Sequence, residues 1–253
     1  MKIKVFGERN TGTNALMTVI RGNSKSVVLP SVLAEVSPQA RQNLAIMMRM
    51  GISTKGKEQL IDAAFKGRPI LEQWKHAATY FDVATVNDDV HFVFTVRHPL
   101  SWLIGLFQKP YHLLVEKPAS LIDFAKMDWE TVGRDNLPKK TYKPLELYAA
   151  KLRSYRDLMD KLDHKGIGYT VIKFEDFVTD QMQAFQTLSP HLDAPSGMFR
   201  ELTRSTKEAR KDSAFYRNYY ANEVWRDEFP DINKVRLPED GDIFTSFGYA
   251  PDT

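Results

Sequence analysis

A chain of 253 residues with 43% hydrophobic content can bury a sizeable core, and it fits one large α/β domain over residues 1–253. Its 35 basic and 32 acidic residues leave a formal charge of +3, which is too little to require nucleic acid or an anionic membrane as partner and suits a small anionic ligand. The absence of cysteine excludes a disulfide framework, a thiolate nucleophile and a cysteine-ligated metal, and it favours a reducing compartment, by default the cytoplasm.

No segment has the roughly 18 consecutive apolar residues of a membrane span or the apolar region of a signal peptide. No internal repeat or low-complexity tract divides the chain. The sequence therefore predicts a soluble protein without a membrane-spanning helix.

The N-terminal residues are typical of a strand, a glycine loop and a helix in direct succession. Ile3 and Val5 alternate with lysines before Gly7, as in a short strand that runs into a turn, and Ala15 to Ile20 follow as a helical segment. A helix N-terminus after such a turn directs backbone N–H groups and the positive end of the helix dipole at one point. The segment from Gly7 to Asn14 is therefore the first candidate site, and the ligand it favours is an anion.

The next two helices are indicated by their end signals. Ser37 and Pro38 form a helix cap and a first-turn proline, and the apolar run from Leu44 to Met50 stops at a glycine. We expect the methionines of this run to fill the protein core. A further helix is predicted from Lys57 to Phe65.

Two segments are predicted to be strands that carry polar residues at their carboxyl ends. The segment Pro69–Trp74 is predicted to be a short strand followed by Lys75 and His76. The segment His91–Val96 is almost continuously apolar, as in a parallel strand buried on both faces, and Arg97 follows it.

The second half of the chain continues the alternation of helices and strands. Helices are predicted at residues 100–107 and 144–162, the latter stopped by Gly166, and a strand at residues 169–174. Residues 128–143 have no clear periodicity and are a candidate lid over the substrate. Alternating strands and helices predict an α/β fold, with three α/β/α layers around a central, mainly parallel sheet.

The polar residues of the first loop suit an anion bound without metal. Arg9 offers bidentate hydrogen bonds, and Thr11, Thr13 and Asn14 offer neutral donors. The loop lacks the Gly-Lys-Ser/Thr sequence with which a Walker loop binds phosphates and magnesium. The other interpretation of the loop is a helix N-terminus capped by Thr11 or Thr13 that binds no ligand.

Three blocks of the sequence resemble the sulfotransferases that use 3′-phosphoadenosine 5′-phosphosulfate (PAPS). Residues 8–14 are similar to the family's loop for the 5′-phosphosulfate, and residues 74–76 to its Lys/His segment at the end of the next core strand. Residues 96–102 resemble the strand end whose arginine binds the 3′-phosphate. Residues 171–176 and 210–220 extend the resemblance towards the C-terminus.

The resemblance implies a P-loop-like sulfotransferase architecture and a set of site residues. It places His76 as general base, with Lys75 and Arg9 as cations near the transferred group. The residues implied to bind the nucleotide are Arg9, Asn10, Thr11, Gly12, Thr13, Asn14, Arg97, Ser101, Arg210 and Lys211. No metal is implied, and the six histidines lack the spacing of a zinc site.

Three positions depart from the family's pattern, and one of them is Asp212, which stands where a glycine usually follows Arg-Lys. Asn10 stands where many members have a loop lysine, and Gly105 stands where a serine usually follows the strand-end arginine, which leaves Ser101 as its substitute. Glu175 and Asp176 are expected to cap a helix or support neighbouring residues. The aromatic residues between Phe215 and Trp225 are expected to pack in the core.

We therefore expect an enzyme that transfers a sulfuryl group from PAPS, with 3′,5′-adenosine bisphosphate (PAP) as product. The acceptor is expected to be the hydroxyl or, second, the amine of a small molecule or glycan. Two other hypotheses stay open at this point: a nucleotide-dependent kinase with a degenerate phosphate loop, and a non-catalytic nucleotide-binding module. The sequence identifies neither the acceptor nor the oligomeric state.

Overall fold

The described residues form an α/β fold in which helices cover both faces of a parallel sheet. The computed structural model describes residues 1–87, 89–204, 211–239 and 241–249. The strands, in chain order, are β1 (Lys2–Gly7), β2 (Val27–Val28), β3 (Val90–Val96), β4 (Trp129–Glu130), β5 (Thr141–Tyr142) and β6 (Tyr169–Lys173). The α-helices are α1 (Thr13–Asn23), α2 (Leu33–Val36), α3 (Pro38–Arg49), α4 (Thr54–Phe65), α5 (Pro99–Gln108), α6 (Leu121–Lys126), α7 (Pro144–Lys165), α8 (Phe174–Thr179), α9 (Gln181–Leu188), α10 (Ser213–Ala221), α11 (Val224–Glu228) and α12 (Asp242–Ser246).

Four of these strands form one parallel sheet in the order β2-β1-β3-β6. Gly7, the last residue of β1, is the register partner of Thr95 in β3. Val96, the last residue of β3, is the partner of Lys173 at the end of β6. The carboxyl ends of these three strands therefore lie side by side, at the edge where open parallel sheets bind ligands.

Alternate residues of the strands face two separate cores. Ile3 and Val5 pack with apolar residues of α1 and α9. Phe6, Phe92 and Phe94 pack with residues of α5 and α7 on the opposite face. Because successive strand side chains point to opposite faces, both faces of the sheet are buried, and the predicted three-layer α/β/α arrangement is confirmed.

The predicted helix ends are confirmed where the sequence carries strong local signals. The Ser37 hydroxyl accepts a hydrogen bond from the backbone N–H of Ala40 at 3.4 Å, at the start of α3. Helix α7 begins at Pro144 and ends before Gly166, whose φ of 67° is left-handed. None of the described helices combines the length and the apolar content that crossing a membrane requires.

The predicted strand Pro69–Trp74 is wrong. Ile70–Glu72 form a turn of 3₁₀ helix. The Lys4 ammonium donates hydrogen bonds to two carbonyl oxygens of the segment, at 2.7 and 3.0 Å. Strand β2 pairs only with Lys2 and Ile3 of β1, and the predicted segment turns into the 3₁₀ helix instead of extending along the rest of that edge. The segment still reaches the sheet edge, because the Gly7 N–H donates to the Lys75 carbonyl at 2.9 Å.

The methionines at the end of α3 do not fill the core as expected. Met47, Met48 and Met50 are 38%, 51% and 80% exposed, and Ile46 is 55% exposed. Leu44 is the buried residue of this helix. Helix α3 packs mainly on α2 and α4 rather than on the sheet, so most of its circumference stays in solvent.

Candidate functional site

The loop between β1 and α1 presents an uncapped helix N-terminus to a cavity. Gly12 precedes α1 with a φ of 84°, and Asn10 has a φ of 66°. Gly12, the N-cap residue of α1, has no side chain that could cap the helix, whereas serine hydroxyls cap α3 and α4. Residues 12–15, including Thr13 and Asn14, form part of the cavity wall. The partial positive charge of such a helix end favours an anion.

The cavity has a volume of about 360 Å³, which falls in the range of small-molecule sites. The cationic residues that line it are Arg9, Arg97, Lys109, Arg204 and Lys211. Within the described ranges, the lining includes no aspartate or glutamate. This charge distribution favours a ligand with several negative charges.

Arg97 is fixed at the cavity wall by contacts from three directions. Its Nη1 donates to the Asn10 carbonyl at 2.8 Å, and its Nη2 donates to the Tyr220 hydroxyl at 2.8 Å. Its Nε donates to the Ser101 hydroxyl at 2.9 Å, and the guanidinium carbon lies 4.6 Å from the centre of the Phe174 ring. The guanidinium is therefore pre-organised beside the first loop, with its plane set by the protein.

Ser101 and Gly105 have different roles from those that the family pattern suggests. Ser101 is fully buried and does not line the cavity, so its hydroxyl orients Arg97 instead of facing a ligand. A Cβ atom at Gly105 would lie 3.0 Å from Nη1 of Arg97. The glycine therefore makes room for the guanidinium, and a serine at this position would displace it.

His76 lines the cavity next to the loop and is held in one tautomer. Its Nδ1 lies 2.6 Å from the Gly7 carbonyl oxygen. Because a carbonyl oxygen only accepts, Nδ1 carries the hydrogen and the basic lone pair is on Nε2. Burial, and then the charges of Lys75 and Arg9, lower the pKa of His76 well below its usual value. The imidazole is therefore neutral at physiological pH.

Lys75 lies behind the cavity wall and does not itself line the cavity. Its side chain is 2% exposed, and its ammonium donates to the Asn14 side-chain carbonyl in the first turn of α1. Asn14 does line the cavity. Lys75 therefore supports the first turn of α1 from behind the cavity wall.

Arg9 is clamped between aromatic side chains. Its guanidinium carbon lies 3.5 Å from the centre of the Tyr111 ring and 4.5 Å from that of Trp74. Its Nη1 donates to Nδ1 of His112 at 3.1 Å. Burial lowers the pKa of His112 to about 3, so this imidazole is neutral and acts as an acceptor. The clamp therefore fixes a cation beside the loop, which itself contains no lysine.

A buried ionic cluster supports the site from behind. The Lys151 ammonium lies 2.8 Å from Oδ1 of Asp135 and 3.2 Å from Oε2 of Glu8, and it also donates to the His76 carbonyl. Burial opposes the ionisation of Asp135, but the interactions with Lys151, His112 and Arg9 together outweigh it and lower the pKa to about 2. The other oxygen of Glu8 accepts the Arg9 N–H at 2.7 Å. One lysine thus links the first loop, the His76 segment and α7.

Of the predicted nucleotide-binding residues Thr11 and Lys211, only Lys211 lines the cavity. The Thr11 hydroxyl donates to the Glu8 carbonyl at 2.5 Å and lies 2.7 Å from the Thr95 hydroxyl, so it ties the loop to β3 instead of lining the cavity. Lys211 does line the cavity, and its ammonium lies 4.7 Å from the centre of the Phe215 ring. The other predicted cation of this segment, Arg210, lies outside the described residues.

The aromatic residues of α10 serve the core and the cavity together. Tyr219 and Tyr220 are each 9% exposed, as expected for core residues, and both also line the cavity. Tyr216 stacks on Tyr220 with an angle of 2° between the rings. Trp225 is 2% exposed and belongs to the core without lining the cavity.

Sequence reasoning missed several residues of the cavity wall, namely Phe174, Lys109, Tyr111 and Arg204. Phe174 directly follows β6, so the rule that strand carboxyl ends form sites was a usable signal for it. The other three lie in segments without periodicity or motif. Glu175, in the first turn of α8, accepts the His98 N–H at 3.0 Å and stays a supporting residue.

The expectation of a lid at residues 128–143 is not met. Strands β4 and β5 of this segment pair antiparallel, and Trp129 is 1% exposed. Asp135 joins the buried ionic cluster, and Arg134 binds Asp62 of α4 at 2.7 Å. The segment connects α6 to α7 along the chain and packs on α4 and α7, because its polar residues pair in the interior.

Replacing Gly12 tests the backbone geometry of the loop. Gly12→Ala is expected to destabilise the fold by about 1–3 kcal/mol, because a Cβ at φ 84° is strained and would lie 2.8 Å from the Phe174 ring. Gly22→Ala in the same helix is the control: its Cβ would meet nothing within 4 Å, and we expect a gain of roughly 0.5 kcal/mol. Urea unfolding measures both, and equal effects of the two variants would contradict the assigned loop geometry.

No protein-family model and no curated protein sequence matches the chain. Among solved structures, the chain is similar to the sulfotransferase domain from the curacin biosynthetic pathway. The identity is 12%, the alignment covers 98% of each chain, and the TM-score is 0.47. A likeness at this level transfers no function, so the functional conclusion depends on the cavity and its residues.

Proposed function

We propose that the protein transfers a sulfuryl group from PAPS to a hydroxyl or amine of an acceptor, with His76 as general base. The observation that carries the proposal is a neutral histidine, with Nε2 as its basic nitrogen, beside an uncapped helix N-terminus in a cation-lined cavity. PAPS carries a 5′-phosphosulfate and a 3′-phosphate on the same ribose, and the cavity offers a cation for each of them, Arg9 and Arg97. The three sequence blocks that resemble the sulfotransferases meet at this cavity.

In this proposal, each of the two cationic positions binds a different anionic group of PAPS. Gly12, Thr13 and Arg9 bind the 5′-phosphosulfate through the helix end and the clamped guanidinium. Arg97 binds the 3′-phosphate, and Phe174 and Tyr220 next to it supply aromatic surface for the adenine ring.

The residues then perform an in-line transfer. The acceptor oxygen bonds to sulfur while the bond from sulfur to the bridging oxygen breaks, and the bonding electrons go to the leaving phosphate oxygen of PAP. Nε2 of His76 takes the acceptor proton. Arg9 and the N-terminus of α1 stabilise the charge that develops on the leaving oxygen. The cavity is less suited to magnesium-dependent phosphoryl transfer, since its described lining offers no carboxylate to hold the ion.

Thermal unfolding with two nucleotides tests the proposal. PAP is expected to raise the melting temperature, because a ligand at a hundredfold excess over its Kd stabilises the folded state by about 2.7 kcal/mol. Mg-ATP at the same concentration is expected to have little effect. A larger shift with Mg-ATP would overturn the proposal in favour of a kinase. Binding of PAP without transfer from PAPS to any acceptor panel would favour the non-catalytic binding module.

A further inference from the structure

Among the described residues, the most exposed apolar cluster lies at the junction of α3 and α4. We call it the apolar tip and define it by Ile46, Met47, Met48 and Met50, which are 38–80% exposed. Single exposed apolar residues are normal on protein surfaces, but four within five consecutive positions form a contiguous patch. This patch lies on helices that the proposed function does not use.

Positive charge surrounds the apolar tip. Residues 38–57 contain Arg41, Arg49, Lys55 and Lys57 and no aspartate or glutamate, which gives this segment a charge of +4. The whole chain has a formal charge of +3, so the other residues together sum to −1. The segment therefore carries an excess of positive charge that the overall charge of +3 does not show, although Glu58, the next residue, lies 3.7 Å from the Lys57 ammonium.

We infer that the apolar tip and its basic surroundings bind an anionic membrane surface. Lysine and arginine are attracted to the negative surface potential of such a membrane, and exposed apolar side chains enter the boundary between headgroups and acyl chains. The protein is then held at the membrane surface by charge and by shallow insertion of these side chains.

The geometry of the tip favours a membrane over a protein partner. Ile46, Met47 and Met48 are consecutive, and at about 100° per residue they cover roughly 200° of the helix circumference. A protein groove holds one stripe of a helix, at spacings of three and four residues. A fluid lipid interface instead surrounds a helix end, and flexible methionine side chains adapt to it. A second copy of the chain is disfavoured, because a symmetric contact would oppose two segments of charge +4.

Vesicle sedimentation tests this inference with the full chain. We expect binding to phosphatidylcholine vesicles that contain phosphatidylglycerol, and at least about tenfold weaker binding to phosphatidylcholine alone or in high salt. The double variant Ile46→Ser/Met50→Ser is expected to lose about tenfold or more in affinity for the anionic vesicles. Arg49→Glu is expected to weaken binding at low salt.

Met198→Ser is the matched control, since Met198 is 79% exposed and Met50 is 80% exposed, and it should bind like wild type. Because Ile46 and Met50 are exposed, we expect the double variant to keep the melting temperature of the wild type. This measurement shows whether the variant folds. Absence of sedimentation with anionic vesicles overturns the inference, as does equal binding to neutral vesicles. A concentration-dependent dimer that the double variant dissociates also overturns it, in favour of self-association.

Discussion

Replacing His76 with glutamine is expected to reduce the rate of sulfuryl transfer by roughly 10²–10⁴-fold, the usual contribution of a general base. A glutamine amide can still donate to the Gly7 carbonyl that now accepts from Nδ1, so the fold keeps this hydrogen bond. It offers no basic nitrogen to the acceptor. The affinity for PAP is expected to stay near that of wild type, because the proposed nucleotide contacts lie on the loop and Arg97. Steady-state rates and calorimetry measure the two quantities.

His164→Gln is the control, since His164 is an exposed histidine of α7. The pH profile gives a second readout. Burial and the charges of Lys75 and Arg9 lower the pKa of His76 well below 6.5. The imidazole is therefore still in its neutral, basic form at pH 6.5. We therefore expect kcat/KM to stay flat as the pH falls from about 8 to about 6. A full rate in the His76 variant, or a decline centred near pH 6.5, would contradict the assigned base.

The second large effect is expected at the buried ionic cluster. Lys151→Met should lower the free energy of unfolding by about 3–5 kcal/mol, because it leaves the buried carboxylates of Glu8 and Asp135 without their shared cation. The loss is a large fraction of the stability of an ordinary domain, which is about 5–15 kcal/mol. Transfer activity should fall as well, since the Lys151 ammonium also binds the His76 carbonyl. Urea unfolding at neutral pH measures the effect on stability.

Lys161→Met serves as the control on the same helix, because Lys161 is exposed and its replacement should change stability by less than about 0.5 kcal/mol. The pH dependence follows from the lowered pKa of Asp135. Its ionised form contributes stability above the ordinary pKa of 3.8, and this contribution disappears as the pH falls towards about 2. Equal effects of the two lysine variants at neutral pH would mean that the cluster adds nothing to stability.

Local signals in the sequence were enough for the elements that build the sheet and its flanking helices. Alternation in β1 and a continuous apolar run in β3 predicted the two central strands. A proline at the first position and a glycine after the last predicted both ends of α7. The segment Pro69–Trp74 was predicted wrongly because its apolar residues suit a strand, whereas it forms a 3₁₀ turn whose carbonyl oxygens bind the Lys4 ammonium.

The sequence alone also located the loop from Gly7 to Asn14, since a strand, a glycine turn and a helix start are all signalled within one short stretch. Only the tertiary structure decided what surrounds that loop. The Arg9 clamp joins residues 103 positions apart, and the bond from Arg97 to Tyr220 spans 123 positions. Which nitrogen of His76 is basic depends on the Gly7 carbonyl, 69 positions away. Such contacts arise from chain packing, which no local pattern encodes, and the same packing left the methionines of α3 in solvent.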